Sequence, residues 1–225
     1  MIAEVTPADA AQLDAARRAV DLIEAGMVVG LGTGATAGTA VREIGRRLAA
    51  GRLSDITAIP TSNATRDLAR EVGIPLTDFL ARPQIDLTID GADEVSPSRD
   101  LIKGHGGALL REKIVAINSR RLVIVVGPAK LVQRLGQRAP LPIEVLPFGW
   151  NTHLDFLREL GAESILRQGE AGPFLTEDGH YILDARFPRG IDHPGVLADV
   201  LARRPGVMET GLFLGMKPEV LVGRG

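Results

Sequence analysis

Glycines set beside hydroxyl, carboxylate and ammonium side chains make up three short strings of this chain, each spaced to hold a small polar molecule. The first, Gly30-Leu31-Gly32-Thr33-Gly34-Ala35-Thr36-Ala37, fits GxGxxA. A dinucleotide site needs, in addition, an acidic residue about 20 positions on, at the end of the second strand, to hold a ribose hydroxyl. That strand ends Ile59-Pro60-Thr61-Ser62, with Asp55 ahead of it, so NAD(P) is set aside. The same physics serves a smaller anion. Glycines let backbone N–H groups approach a phosphate, a following helix N-terminus favours negative charge, and Thr33 and Thr36 add hydroxyls. A tight turn with no ligand is the competing reading.

The second string, Asp90-Gly91-Ala92-Asp93-Glu94, continues an apolar strand that also carries Asp86. Unpaired carboxylates are too costly to bury, so this density of acids implies a wet polar site, a metal site, a helix N-terminus or a solvated loop. The surrounding sequence has no His or Asn ligands at a recognisable spacing and no EF-hand pattern, so no metal is expected. In the third string, Lys103-Gly104-His105-Gly106-Gly107-Ala108, a lysine on the lip of a glycine turn can act as an electrophile where negative charge develops on oxygen. Glu112 follows early in the next predicted helix, where the dipole favours a carboxylate and hence a base at neutral pH. Arg111 and Lys113 read as a charged outer face, and His105 as a residue acting through its backbone.

These strings need a scaffold. Leu13, Ala16, Val20 and Ile23 recur at helical spacing up to Gly26, and MVVGL follows as a buried strand. The alternation continues with helices over about 36–50, 63–72 and 108–118 and strands over 56–59, 86–89 and 122–126. Strands apolar on both faces, alternating with helices, predict a mostly parallel sheet covered by helices. Its ligands would bind outside the strand carboxyl ends, where all three strings lie, so the strings are expected to face one crevice. After Lys130, prolines cluster at 140, 142 and 147, and FLTEDGHYILDARF reads as two strands about an Asp178-Gly179 turn. The expected division is an α/β domain of 1–130 plus about 205–225, with a smaller α+β domain over about 131–204. GVMETGLFLG is the strand expected to return to the first sheet.

Composition narrows the function. Against 26 Lys+Arg stand 28 Asp+Glu, and only 4% of residues are aromatic, which gives a polyanion neither attraction nor stacking platforms. Nucleic acid is not an expected partner. The absence of Cys removes thiolate nucleophiles, disulfides and Cys-ligated metals, in keeping with a reducing compartment. The opening residues lack a signal-peptide pattern, and no apolar run approaches the roughly 20 residues of a membrane span. A soluble cytoplasmic protein with no membrane partner is expected.

Taken in order, GLGTGATA, IPTSNAT, DLTIDGADEV, LIKGHGGALLREKIVA and LPIEVLPFG resemble ribose-5-phosphate isomerase of the A type, over about residues 21–222. The resemblance implies an α/β fold with a Rossmann-like sheet and a small α+β domain inserted near the C-terminus. It also implies a homodimer or homotetramer of the pentose phosphate pathway that interconverts ribose 5-phosphate and ribulose 5-phosphate without metal or organic cofactor. Carried over position by position, the general base falls on Glu112. Substrate-binding segments fall on Thr33, Gly34, Ala35 and Thr36, on Asp90, Gly91, Ala92 and Asp93, on Lys103, Gly104, His105 and Gly106, and on Lys130. Asp90 and Asp93 would open the sugar ring, Lys103 would stabilise the enediolate, and Lys130 would hold either phosphate or a hydroxyl.

The chain departs from its relatives at three places. Ala35 stands where the family usually has Ser, and His105 where Gly or an apolar residue is common. Gln12 and Leu13 replace a Lys-Lys pair of the first helix, leaving Arg17 or Arg18 to compensate. The rival readings are a sugar-phosphate deaminase or CoA-transferase, against which DGADE paired with KGxGG speaks, and a sugar-phosphate sensor, which would carry a DNA-binding helical module.

Overall fold

The chain divides into two compact units, one comprising the sequence up to Gly91 with Arg111–Lys130 and Pro218 onward, the other Ala92–Leu110 with Leu131–Lys217. The computed structural model describes residues 7–223, with side chains from Gln12 onward. Among the described residues no helix is long and apolar enough to cross a membrane.

In the first unit five parallel strands lie in the order Glu219–Val222, Ser119–Val126, Ile85–Asp90, Val28–Leu31, Thr57–Pro60. The inner strands are apolar along almost their whole length, as burial on both faces requires. Val29, Leu31, Leu87 and Ile89 pack with Val41 and Ile44 of the helix Ala35–Ala49, while Val28, Ile59 and Ile85 meet Val115 of the helix Leu109–Ile117. Truncating Leu87 or Ile89 to Ala would cost about 2–5 kcal/mol, a large share of the roughly 5–15 kcal/mol by which domains are stable. From Val28–Leu31 the chain steps outward to Thr57–Pro60, then crosses back to the other side of its first strand for Ile85–Asp90. Winding reverses there, and sheets of this kind bind ligands outside the strand ends at such a reversal.

The second unit is built on an antiparallel sheet in the order Val207–Thr210, Leu141–Val145, Tyr181–Arg186, Glu163–Leu166. Leu141, Ile143, Val145, Leu183 and Ala185 form its core with Leu157 and Leu201 of the helices Thr152–Glu159 and Pro194–Ala202. A small sheet joins Leu212–Phe213, Leu101–Ile102 and Glu94–Val95, and Gln168–Gly169 pairs with Gly172–Pro173.

Three expectations change. The segment 206–215 does not return to the parallel sheet: Val207–Thr210 pairs with Leu141–Val145, Leu212–Phe213 pairs with Leu101–Ile102, and Glu219–Val222 is the strand that returns. Residues Ala92–Leu110 group with the second unit. Glu94 shows why, because its buried carboxylate accepts the amides of Gly136 (2.6 Å), Arg138 (2.6 Å) and Ala139 (2.7 Å). In FLTEDGHYILDARF the turn forms, with Gly179 N–H donating to Thr176 C=O (3.0 Å), but only the second half is a strand. Tyr181–Arg186 has both edges taken by Leu141–Val145 and Glu163–Leu166, so no edge is left for a hairpin partner.

Candidate active site

At the carboxyl end of Val28–Leu31 the chain turns through Gly32-Thr33-Gly34 into the helix Ala35–Ala49. Gly32 N–H donates to Ile89 C=O at 2.9 Å and draws the turn against the neighbouring strand. Asp90 is 1% exposed. Its Oδ1 accepts from Gly91 N–H at 2.7 Å and from Thr33 N–H at 3.3 Å, the kind of amide support a buried carboxylate needs.

The Thr33 hydroxyl is occupied by the fold. It donates to Ser62 Oγ at 2.9 Å and lies 2.7 Å from Thr61 Oγ1. Thr61 and Thr65 donate in turn to the Leu31 and Gly32 carbonyls, at 3.0 and 2.9 Å, so this hydroxyl knot fixes the turn. Gly34 is the N-cap, and the helical ladder begins with Gly38 N–H to Gly34 C=O at 2.8 Å. The amides of Ala35, Thr36 and Ala37 precede it, with no acidic residue in the first turn, which makes this end electropositive. Thr36 Oγ1 accepts from Gln12 Nε2 at 2.8 Å. Gln12 thus reaches the loop, while Arg18 is engaged with the Val222 carbonyl and Asp14 and Arg17 is exposed.

Two further expected residues lie in this unit. Glu112 is 4% exposed, in the first turn of Leu109–Ile117. The exposed Lys130 ends the turn Pro128–Lys130, which follows the strand beside Ile85–Asp90 and so lies at the same end of the sheet.

The remaining expected residues, Ala92, Asp93 and Lys103–Gly106, belong to the second unit. Lys103 is 3% exposed, its amide donates to Gly211 C=O (2.9 Å), and its Nζ stands 5.5 Å from the centre of the Phe213 ring, a cation–π distance. Asp93 Oδ2 accepts the His105 N–H at 3.0 Å, and Asp93 N–H donates to Ile102 C=O at 2.8 Å. The His105 ring is half exposed, with Nδ1 3.9 Å from the same Asp93 oxygen.

The acid-rich string thus separates by role. Asp86 accepts the Val28 amide (2.9 Å) and pairs with Arg120 (3.2 Å), and Glu94 is the anchor described above. Asp90 accepts the Gly91 and Thr33 amides, and Asp93 accepts that of His105. Among the described residues no group of three or more His, Asp or Glu side chains is placed to hold a metal ion.

Comparison with known proteins gives a consistent picture. The family model for ribose 5-phosphate isomerase A (phosphoriboisomerase A) matches residues 57–225. Ribose-5-phosphate isomerase A of Deinococcus radiodurans is 49% identical, with 95% of this chain and 94% of the relative covered. The enzyme of that name from Gloeobacter violaceus is 52% identical, over 92% of this chain and 90% of the relative. Among solved structures, a D-ribose-5-phosphate isomerase in complex with phospho-erythronic acid superposes with a TM-score of 0.94 at 40% identity, covering 97% of this chain and 96% of that one. Ribose 5-phosphate isomerase A from Methanocaldococcus jannaschii gives 0.89 at 39% identity, covering 95% and 94%.

Proposed function

The chain belongs to the ribose 5-phosphate isomerase A family of aldose–ketose isomerases, and we propose that it interconverts D-ribose 5-phosphate and D-ribulose 5-phosphate with Glu112 as the proton-transfer base. The observation that carries this reading is a carboxylate almost wholly withdrawn from water in the first turn of a helix, nine residues after the lysine of the Lys-Gly-His-Gly-Gly turn.

The substrate is mostly cyclic, so Asp90 and Asp93 act first as acid and base to open the ring. Glu112 then takes the proton from C2 of the open aldose, and the electron pair moves onto O1 to give an enediolate. Return of that proton to C1, with O1 protonated and O2 deprotonated, yields the ketose. Lys103 and the amides of Gly104, His105 and Gly106 stabilise the negative oxygen. The phosphate takes the amides of Gly34, Ala35 and Thr36, together with Lys130 where it meets phosphate rather than a hydroxyl, and its binding energy fixes a small, flexible sugar. Gly91 and Ala92 keep bulk away from the sugar.

Every step is a proton transfer between carboxylates and carbon or oxygen acids, so the reading calls on no metal or organic cofactor. It also takes the protein as a cytoplasmic homodimer or homotetramer of the pentose phosphate pathway, which sedimentation of the purified chain tests. The direct test is release of ribulose 5-phosphate from ribose 5-phosphate in buffer containing chelator. Turnover unchanged by chelator supports the reading, and no turnover, or turnover abolished by chelator, overturns it. Phospho-erythronic acid carries a carboxylate in place of the enediolate oxygens and should compete with substrate.

A further inference from the structure

The turn that carries Lys103 contains glycine at 104, 106 and 107, and such a segment has little intrinsic resistance to rotation of its peptide planes. Its own turn bond, Gly107 N–H to Gly104 C=O at 3.0 Å, is joined by a hold from a residue more than sixty positions away in sequence. Arg167, just after the strand Glu163–Leu166, donates from Nη1 to the carbonyls of both Gly104 (2.9 Å) and His105 (3.0 Å). Its Nε and Nη2 form a fork on the Asp184 carboxylate, with Nε at 2.8 Å. Only 12% of the Arg167 side chain and 16% of the Asp184 side chain are exposed. The guanidinium carbon stands 5.8 Å from the centre of the Phe174 ring. That ring lies on Gly107, where a Cβ would come within 2.4 Å of it. The arginine backbone is itself fixed, its N–H on Ile182 C=O and its C=O accepting Phe174 N–H, both at 2.8 Å.

In a trans peptide the C=O and the following N–H point in opposite directions. Turning the Gly104 carbonyl toward Arg167 turns the His105 N–H away from it, and Asp93 Oδ2 receives that N–H at 3.0 Å. Turning the His105 carbonyl the same way aims the Gly106 N–H away from the guanidinium. A lysine cannot reproduce the arrangement, because the planar fork holds the carboxylate with two nitrogens while the third serves two carbonyls.

We propose that Arg167, held by Asp184, is a positioning residue for the isomerase reaction. It sets two successive peptide planes so that the His105 N–H fixes the Asp93 carboxylate and the Gly106 N–H faces the substrate oxygen that becomes negative. The inference rests on the reading of Asp93 and Lys103–Gly106 as substrate-contacting.

The test follows the loop and the reaction separately. In Arg167→Ala, hydrogen exchange at the His105 and Gly106 amides should quicken, and kcat for ribose 5-phosphate should fall about 100-fold with KM changed less than threefold. Guanidinium ion at non-denaturing concentration should restore part of kcat to Arg167→Ala but none to Lys103→Ala, and Arg167→Lys should stay impaired. Unchanged amide exchange overturns the positioning role, whatever happens to kcat. Quickened exchange with kcat within twofold of the parent overturns the proposal by removing its premise that the loop contacts substrate. Should Arg167→Ala fail to fold, Asp184→Asn reports instead: a smaller fall in kcat with quickened amides supports the proposal, and parental values of both overturn it.

Discussion

Gly32 and Asp90 compete for the same space. A Cβ on Gly32 would lie 2.0 Å from Asp90 Oδ1 and 2.7 Å from Asp90 Cα, so the two strand ends meet only because residue 32 has no side chain. Gly32→Ala must push the carboxylate off the Thr33 and Gly91 amides or push the strands apart. Expected are a loss of kcat/KM of at least 100-fold and a destabilisation of about 1–3 kcal/mol. Steady-state kinetics and urea unfolding on the same preparation check both, and parental kinetics would show that the Asp90 position does not matter to turnover.

Glu112→Gln keeps the shape of the side chain and removes its basicity. The variant should bind ribose 5-phosphate with unchanged affinity while losing exchange of the substrate C2 hydrogen with solvent deuterium, followed by NMR of the sugar. Exchange that persists would move the base elsewhere, with Asp93 next in line.

Lys103→Ala should lower kcat more than it raises KM, because the proposed mechanism sets the ammonium against the enediolate and not the ground-state sugar. Loss of one such donor typically costs about 10²–10³ in kcat. Equal affinity of variant and parent for an enediolate analogue would contradict the assignment.

The sequence was informative where chemistry and local order coincide. Most helices and strands around the three strings follow from apolar periodicity and glycine stops, with observed bounds within three residues of expectation, as with Ser119–Val126 against 122–126; the first helix is the exception, ending at Val20 and passing through turns before Gly26. Long-range partners were not legible. Asp86, Asp90, Asp93 and Glu94 look alike in sequence, and only the structure shows that Asp86, Asp90 and Glu94 each hold an amide distant in the chain, those of Val28, Thr33 and Gly136. Gly30 belongs to the string whose glycines are expected to let backbone approach a phosphate. Its absent side chain in fact makes room for Thr88, whose Oγ1 would lie 1.9 Å from a Cβ, and for Val115. Arg167 gave no local signal, since its partners are two backbone carbonyls and a carboxylate on another strand.

The Gln12 side-chain amide donates to Thr36 Oγ1 at 2.8 Å. A neutral hydrogen bond of this kind contributes about 1 kcal/mol, so Gln12→Ala should raise KM for ribose 5-phosphate about fivefold with kcat unchanged. Gln12→Lys places a cation at the same point. It should lower KM at low ionic strength and lose that advantage as salt is added, which kinetics at two salt concentrations would show. A KM insensitive to both substitutions would separate this side chain from phosphate binding.

The helix that opens on the first loop is tied down by Glu43. Its buried carboxylate accepts the Arg46 Nε at 2.7 Å and the Arg47 Nε at 2.8 Å, and Arg47 continues to Asp21 at 2.7 Å. The Arg46 hydrogen bond, aided by Arg47 and opposed by burial, brings the Glu43 carboxyl down from 4.5 to about 2. A depressed carboxylate stabilises the fold above its unfolded value and loses that stabilisation as pH falls from about 4.5 toward about 2. The shift corresponds to at most about 3 kcal/mol at neutral pH, and since Arg46 is half exposed a contribution of about 2 kcal/mol is expected. Glu43→Gln should therefore be less stable than the parent at pH 7, and the gap should close progressively below about pH 4.5. Urea unfolding across that range reads it directly. A gap that stays constant with pH would assign the loss to packing instead of to the ionised carboxylate.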